Sequence, residues 1–499
     1  MRNLNYIDLF AGAGGLSEGF IRAGFKPIAH VEMNKEACDT IKTRTAYHWL
    51  KENKKTKIYN EYLKSEIKTK EDLWNNVPQN LINSVINKEI SENTLPEIFE
   101  TIDKELNGNK VDIIIGGPPC QAYSVVGRAR KNMESDPRNH LYKHYVKFLE
   151  KYKPRMFVFE NVPGILSAKN GEYLSKIFKA VRKAGYEVAI PPKNHLNAKD
   201  FGVLQDRKRV IIIGWKKELK LYYPEFETRE YNFQILKDLF SDLKPLKNGQ
   251  GTLNAVEYAK PTTEYLKQTN IRNGLDFVTQ HISRPNNEND LEIYRIALDE
   301  WNKGKRLNYA TLPSRLIKHN NTKSFTNRFQ VVNGQGVSHT VVAHIAMDGH
   351  YYIHPDKKQN RSISIREAAR IQSFPDDYFF EGSRTAAFKQ IGNAVPPLMA
   401  EKIAEKIKYF LNFVNMNIEI KTIEDVKAFA SHLVQVEKLS FHPDDDFKDY
   451  LTNENQPFYS VEEANWRNKI MNDCFEVCNK NNVEIYELML PIIQKQVFA

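Results

Sequence analysis

The chain has 499 residues, 41% hydrophobic and 27% charged, enough for a large core and two or three domains. No run approaches the roughly 20 apolar residues of a membrane span, and Met1 to Tyr6 leads directly into a strand, so a cytoplasmic protein without membrane contact is expected. Four cysteines, Cys38, Cys120, Cys474 and Cys478, are too few and too scattered for a disulfide framework or a four-ligand zinc site, so no metal is expected. The formal charge of +10 is uneven: residues 421–499 hold 8 Lys/Arg against 14 Asp/Glu, net −6, which leaves the first 420 at +16, as a polyanion-binding enzyme requires.

Tyr6 to Phe10 reads as a strand that turns into a helix through the glycines of Ala11-Gly12-Ala13-Gly14-Gly15, where backbone can approach a ligand. A second strand, Pro27 to Glu32, ends in an acid 24 positions after Asp8, near the spacing at which such folds hold a ribose hydroxyl pair. The glycine spacing matches neither the dinucleotide fingerprint nor the P-loop, which favours a nucleoside cofactor without a phosphate chain. The competing reading is a glycine turn that only permits tight helix packing. Residues 47–110 are lysine-rich and helical in pattern, an apparent insertion on the sheet's flank.

Val111 to Ile115 reads as a buried parallel strand, and Gly116-Gly117-Pro118-Pro119-Cys120-Gln121 follows as a sharp turn that presents Cys120 at the strand's carboxyl end. Taken alone, Cys120 could equally be a buried small hydrophobe. Val125 to Lys131 suits a basic mobile loop, or simply a solvated one. Met156 to Phe159 forms the next strand and ends in Glu160, a candidate acid. Gln205, Arg207 and Arg209 alternate before the strand Val210 to Gly214, so one face could hold an anionic or carbonyl group, although a charged run is more often only solvated. Regular alternation stops between Trp215 and about Gly336 and returns with Val337 to His344. Helices are expected over 365–372, from about 390 to 413, and through the tail, where Cys474 and Cys478 share a core face.

Six blocks, Asp8 to Gly15, Pro118 to Gln121, Glu160 to Val162, Gln205 to Arg209, Arg366 to Pro375 and Gln390 to Val395, occur in an order that resembles the DNA (cytosine-5) methyltransferases of bacterial restriction-modification systems, from residue 1 to about 415. The resemblance implies an α/β fold: a Rossmann-like S-adenosylmethionine-dependent mixed sheet with helices on both faces, a smaller irregular target-recognition domain and a C-terminal helical extension. The expected domains are 1–214, catalytic, with the insertion at about 47–110; 215–336, recognition; 337–415, a return segment completing the catalytic domain; and 416–499, the extension.

S-adenosylmethionine is the implied cofactor, with Phe10, Ala11, Gly12, Gly14, Gly15, Glu32, Met33, Pro118, Asn393 and Val395 around it. An acidic contact to the adenine amino group belongs on the strand after Glu32, within residues 83–87, where the sequence offers no aspartate. C5 of cytosine is a poor nucleophile until a thiolate adds at C6, a role implied for Cys120. A protonated Glu160 at N3 would stabilise the charge that develops, its proton favoured by burial, while Arg207 and Arg209 hold the cytosine O2. The target must leave the stack, so a closing loop over 121–133 is expected, with Gln121, Ser124, Arg128 and Arg130 on the DNA. The implied partner is duplex DNA, bound by a monomer that works beside a cognate restriction endonuclease. The same chemistry on tRNA, or a binding-only regulator on the same fold, are the alternatives; intact Cys120 and Glu160 argue against the second.

Overall fold

In the computed structural model the described residues are 4–118, 140–219, 232–318, 325–415, 420–436, 441–451 and 461–494, with isolated positions between them. Residues 1–408 and 409–499 form two compact units.

The first unit is built on one sheet. Strands β1 (Asn5–Leu9), β2 (Lys26–Glu32), β3 (Val85–Asn87), β4 (Ile113–Gly116), β5 (Met156–Asn161), β6 (Tyr186–Ala189), β7 (Leu196–Asn197), β8 (Gln205–Asp206) and β9 (Lys208–Lys216) follow in chain order. The sheet runs β3-β2-β1-β4-β5-β9-β6, with β7 also on β9. The five strands from β3 to β5 are parallel, whereas β9 is antiparallel to β5, β6 and β7. The chain reverses across the sheet at β1 and β4, so their carboxyl ends open the crevice where ligands bind in open α/β folds. The central strands read as nearly continuous apolar runs because helices cover both faces.

On one face Ile7, Val31, Ile114 and Phe159 pack against the helices Leu95–Leu106, Leu141–Tyr152 and Glu172–Lys183 through Ile98, Phe148 and Ile177. On the other lies the helix Gly15–Arg22, where Tyr6 packs against Phe20 with the rings tilted by 47°. The supposed insertion over 47–110 is more than a flank: it contains β3, an edge strand of the sheet itself. Three residues are too short for periodicity to reveal, and the surrounding lysine-rich helices masked it.

Residues 215–336 are irregular, as the sequence suggests, yet they include a 15-residue helix, Glu288–Asn302, with its own small core around Tyr294, Leu298 and Phe329. Buried arginines from the next segment pin this region. Arg366 donates to the carbonyls of Thr279, Pro375 and Tyr378, and Arg370 pairs with Asp242 and Asp376. Over 337–344, where regular structure was expected to return, the chain forms only the short strand Ser338–His339, paired in parallel with β8, and enters a single helical turn at Ala343–Ala346.

The second unit has its own core, formed by Val426, Phe429, Leu433, Phe441, Phe447, Ile470, Cys474 and Cys478 from the helices Ile423–Ser431 and Val461–Lys480 and the segment between them. Burial pushes the Cys474 and Cys478 thiols up, as packed rather than reactive groups require. Among the described residues no helix is long and apolar enough to cross a membrane, and no group of three or more potential metal ligands is found.

Candidate active site

The glycine turn after β1 departs from ordinary backbone at three positions. Phe10, Gly12 and Gly14 have φ of 56°, 56° and 75°. For Phe10 that left-handed conformation is strained, and strain of this kind persists where the surroundings impose it, commonly at ligand sites. A Cβ at Gly12 would meet nothing within 4 Å, so this peptide faces open space. A Cβ at Gly15, by contrast, would lie 2.3 Å from the Val395 carbonyl, and one at Gly19 would lie 2.4 Å from Ala400. The turn therefore divides its glycines: Gly12 leaves room, and Gly15 lets the block containing Val395 close against it. Tyr378 adds a hydrogen bond from its hydroxyl to the Ala13 carbonyl, 2.5 Å.

Glu32 ends β2 beside this turn. Its carboxylate accepts from the Gly12 and Asn34 amides at 2.9 and 2.8 Å, which fixes both backbone segments and leaves lone pairs over. Met33 is exposed next to it, and Ala11 and Asn393 also reach solvent, whereas Val395 and Pro118 are buried. On β3 the position for an acid is taken by Asn87, whose amide donates to the Glu32 and Met33 carbonyls at 3.2 and 2.9 Å. The structure offers no carboxylate within 83–87; the first beyond the strand is the exposed Glu89. The sequence reading passed over Asp8. It is buried on β1, its Oδ2 has no partner among the described residues, and burial, aided by Glu32, pushes its carboxyl well above the usual range. An unpaired acid, a bare peptide and a ribose-spaced carboxylate fit a cationic nucleoside cofactor.

The second cluster lies where β4 and β5 end and β9 begins. A Cβ at Gly117 would sit 2.7 Å from Glu160 Oε2, so the turn after β4 lies against that carboxylate. Asn161 donates to the Pro118 carbonyl at 3.2 Å and holds the same turn. Arg209 Nε stands 2.7 Å from Glu160 Oε1. Cys120, Gln121, Ser124, Arg128 and Arg130, with the expected loop, lie outside the described residues.

Arg207 requires a correction. Its side chain is fully buried, and its guanidinium donates to the carbonyls of Val341, Gly392 and Ala394 at 2.6, 3.2 and 2.8 Å. With its fork closed on backbone it cannot reach a substrate as placed; it fastens the return segment to β9. Gln205 does likewise: its amide donates to Gln372 and accepts from the Val341 amide, both at 2.8 Å. The face proposed to hold an anionic or carbonyl group thus holds backbone carbonyls of the chain itself, and Arg209 alone of the three touches Glu160.

The family model for the C-5 cytosine-specific DNA methylases matches residues 4–73 and 85–409. The type II methyltransferase M.Bpa9945I of Bacillus paralicheniformis is 42% identical over 446 residues, spanning 81% of this chain and 99% of its own. The type II methyltransferase M1.HphI of Haemophilus parahaemolyticus is 31% identical over 410 residues, 81% of this chain and 87% of its own. A crystal structure of a prophage-encoded E. coli protein described as a DNA modification methyltransferase superposes with a TM-score of 0.54 at 24% identity, over 82% of this chain and 100% of that one, a likeness of fold.

Proposed function

Because the chain belongs to the C-5 cytosine-specific DNA methylases and is a DNA (cytosine-5) methyltransferase of the type II restriction-modification kind, we propose that it acts through a covalent bond from Cys120 to C6 of a cytosine turned out of a specific short duplex sequence. Bound S-adenosylmethionine supplies the methyl group. The observation that carries the reading is the Glu160–Arg209 pair, set against the turn that leads into Cys120.

Phe10, Ala11, Gly12, Glu32, Met33 and Asn393 line the cofactor side, with Glu32 toward the ribose and Asp8 toward positive charge. Gly14, Gly15, Pro118 and Val395 shape that wall from behind. The acid for the adenine amino group is Glu89, since Asn87 is occupied with backbone.

The Cys120 thiolate adds its electron pair to C6, and the C5–C6 π electrons move into an enamine conjugated with the ring. Glu160 donates a hydrogen bond at N3, where charge collects, and Arg209 holds both Glu160 and the O2 edge. C5 then takes the methyl group. Loss of the C5 proton to water returns the electron pair to the C5–C6 bond and expels Cys120 as thiolate. Turning the base out is required because thiolate and methyl donor must approach opposite faces of the ring. Gln121, Ser124, Arg128 and Arg130 are assigned to the DNA, and a cognate endonuclease is the expected companion.

The test maps 5-methylcytosine in a methylation-free bacterial host expressing the native chain or Cys120→Ala. A short motif methylated only by the native chain is the expected result. Duplex carrying 5-fluorocytosine in that motif should trap the native chain as a denaturant-resistant adduct, because fluorine cannot leave as the proton does. Methyl transfer by Cys120→Ala would overturn the mechanism.

A further inference from the structure

Apart from the pair at Glu160, the described residues enclose a cavity of about 170 Å³ between the segment that carries Arg209 and the recognition region. Its polar lining includes Asp206, Lys305, Arg306, Gln330, Asn333 and His339, with Trp301 as an aromatic wall. The volume is below the ~300 Å³ at which small-molecule sites begin, and suits one edge of a planar group rather than a whole ligand.

The polar groups are not consumed by the fold. Gln330 is only 8% exposed, yet its carboxamide makes no hydrogen bond among the described residues, and its polar atoms keep some solvent contact, as groups that face the cavity would. The exposed Arg306 guanidinium likewise has no hydrogen bond or ion pair among the described residues. Asp206 is held by one oxygen, Oδ1, which accepts from Asn197 at 2.8 Å. His339 is fixed by its 2.6 Å contact to the Tyr351 carbonyl and stays neutral, burial lowering it to about 4. An amide and a guanidinium left free by the described residues, over an aromatic wall, are the equipment for reading a base edge: a carboxamide pairs in two places with adenine, a guanidinium with guanine.

Position fits this use. Asp206 precedes Arg209 by three residues of extended chain, about 10 Å, or roughly three base-pair steps. We propose that Gln330 and Arg306 are specificity-determining residues that read a base within about three pairs of the target cytosine. The inference rests on the function proposed above and adds the location of its sequence reading.

The experiment compares native chain, Gln330→Ala and Arg306→Ala by methylome mapping, then by kcat/KM on duplexes substituted one position at a time. At one flanking position discrimination should fall about 5- to 150-fold, the worth of one base contact, and the other positions should keep theirs. A folded variant that discriminates at every position as the native chain does overturns the proposal. Uniform weakening on all sequences also overturns it, since that marks a phosphate contact. Should Gln330→Ala fail to fold, Arg306→Ala, at the exposed rim, decides alone. A native chain that methylates no motif would instead sink the function itself.

Discussion

Arg207 and Arg209 stand two residues apart, and identical side chains there have opposite surroundings. Arg207 satisfies three buried carbonyls, so Arg207→Ala leaves them without donors and should cost about 3–5 kcal/mol, read as a lowered melting temperature and poor soluble yield. Arg209 touches Glu160 instead. Arg209→Gln should lower kcat by about 10²- to 10³-fold, the range for losing one transition-state donor, while the melting temperature stays within a few degrees of native. The reverse pattern, a stable inactive Arg207 variant and an active unstable Arg209 variant, would refute the assignment. The alternation Gln-x-Arg-x-Arg was visible in the sequence, as was its shared face. What that face meets was not, because Val341, Gly392 and Ala394 lie 134 to 187 residues away. Asp8 was hidden for a similar reason: only the folded surroundings show that its oxygen has no partner.

The turn between β1 and the helix Gly15–Arg22 shows how one short element serves two requirements. Its ligand-approach reading and its packing reading both hold, at different glycines. Gly12→Ala adds a methyl group into open space and incurs backbone strain at φ 56°, so it should cost about 1 kcal/mol of stability and impede cofactor approach. Gly15→Ala must push the Val395 carbonyl away from a 2.3 Å contact, and should cost about 1–3 kcal/mol by overpacking. Urea unfolding of the two variants without cofactor, beside cofactor titration, separates the effects. Gly12→Ala should bind weakly but unfold near the native midpoint, and Gly15→Ala should shift both. Equal unfolding midpoints would contradict the division. Among elements, the long apolar strands were legible because buried parallel strands carry unbroken apolar runs. β3 was not, at three residues. The helix Glu288–Asn302 was missed despite its length, since it interrupts a stretch whose other parts lack any period.

At the scale of the whole molecule the charge is partitioned by unit. The family match ends at residue 409, close to where the second compact unit begins, and that unit holds its own apolar core. The sequence suggested a helical extension; its separate core was concealed because the paired faces come from helices some 40 residues apart. Residues 421–499 carry −6 and the remainder +16. A chain ending at residue 420 keeps the helix Pro397–Asn415 entire and raises the net charge from +10 to +16. Acidic charge carried on the same chain opposes the approach of a polyanion over a Debye length, about 30 Å at 0.01 M salt and about 8 Å at 0.15 M. The shortened chain should therefore bind random duplex several-fold more tightly at low salt, and the two forms should converge as salt approaches 0.2 M. Its kcat on the motif duplex should match the full chain, because every residue assigned to cofactor or base lies before residue 409. Filter binding across a salt series, with single-turnover methylation on the same preparations, measures both quantities. A shortened chain that binds no more tightly at low salt would show that the acidic unit is screened from the DNA. One that unfolds or loses turnover would show that the catalytic unit depends on it, despite its separate core.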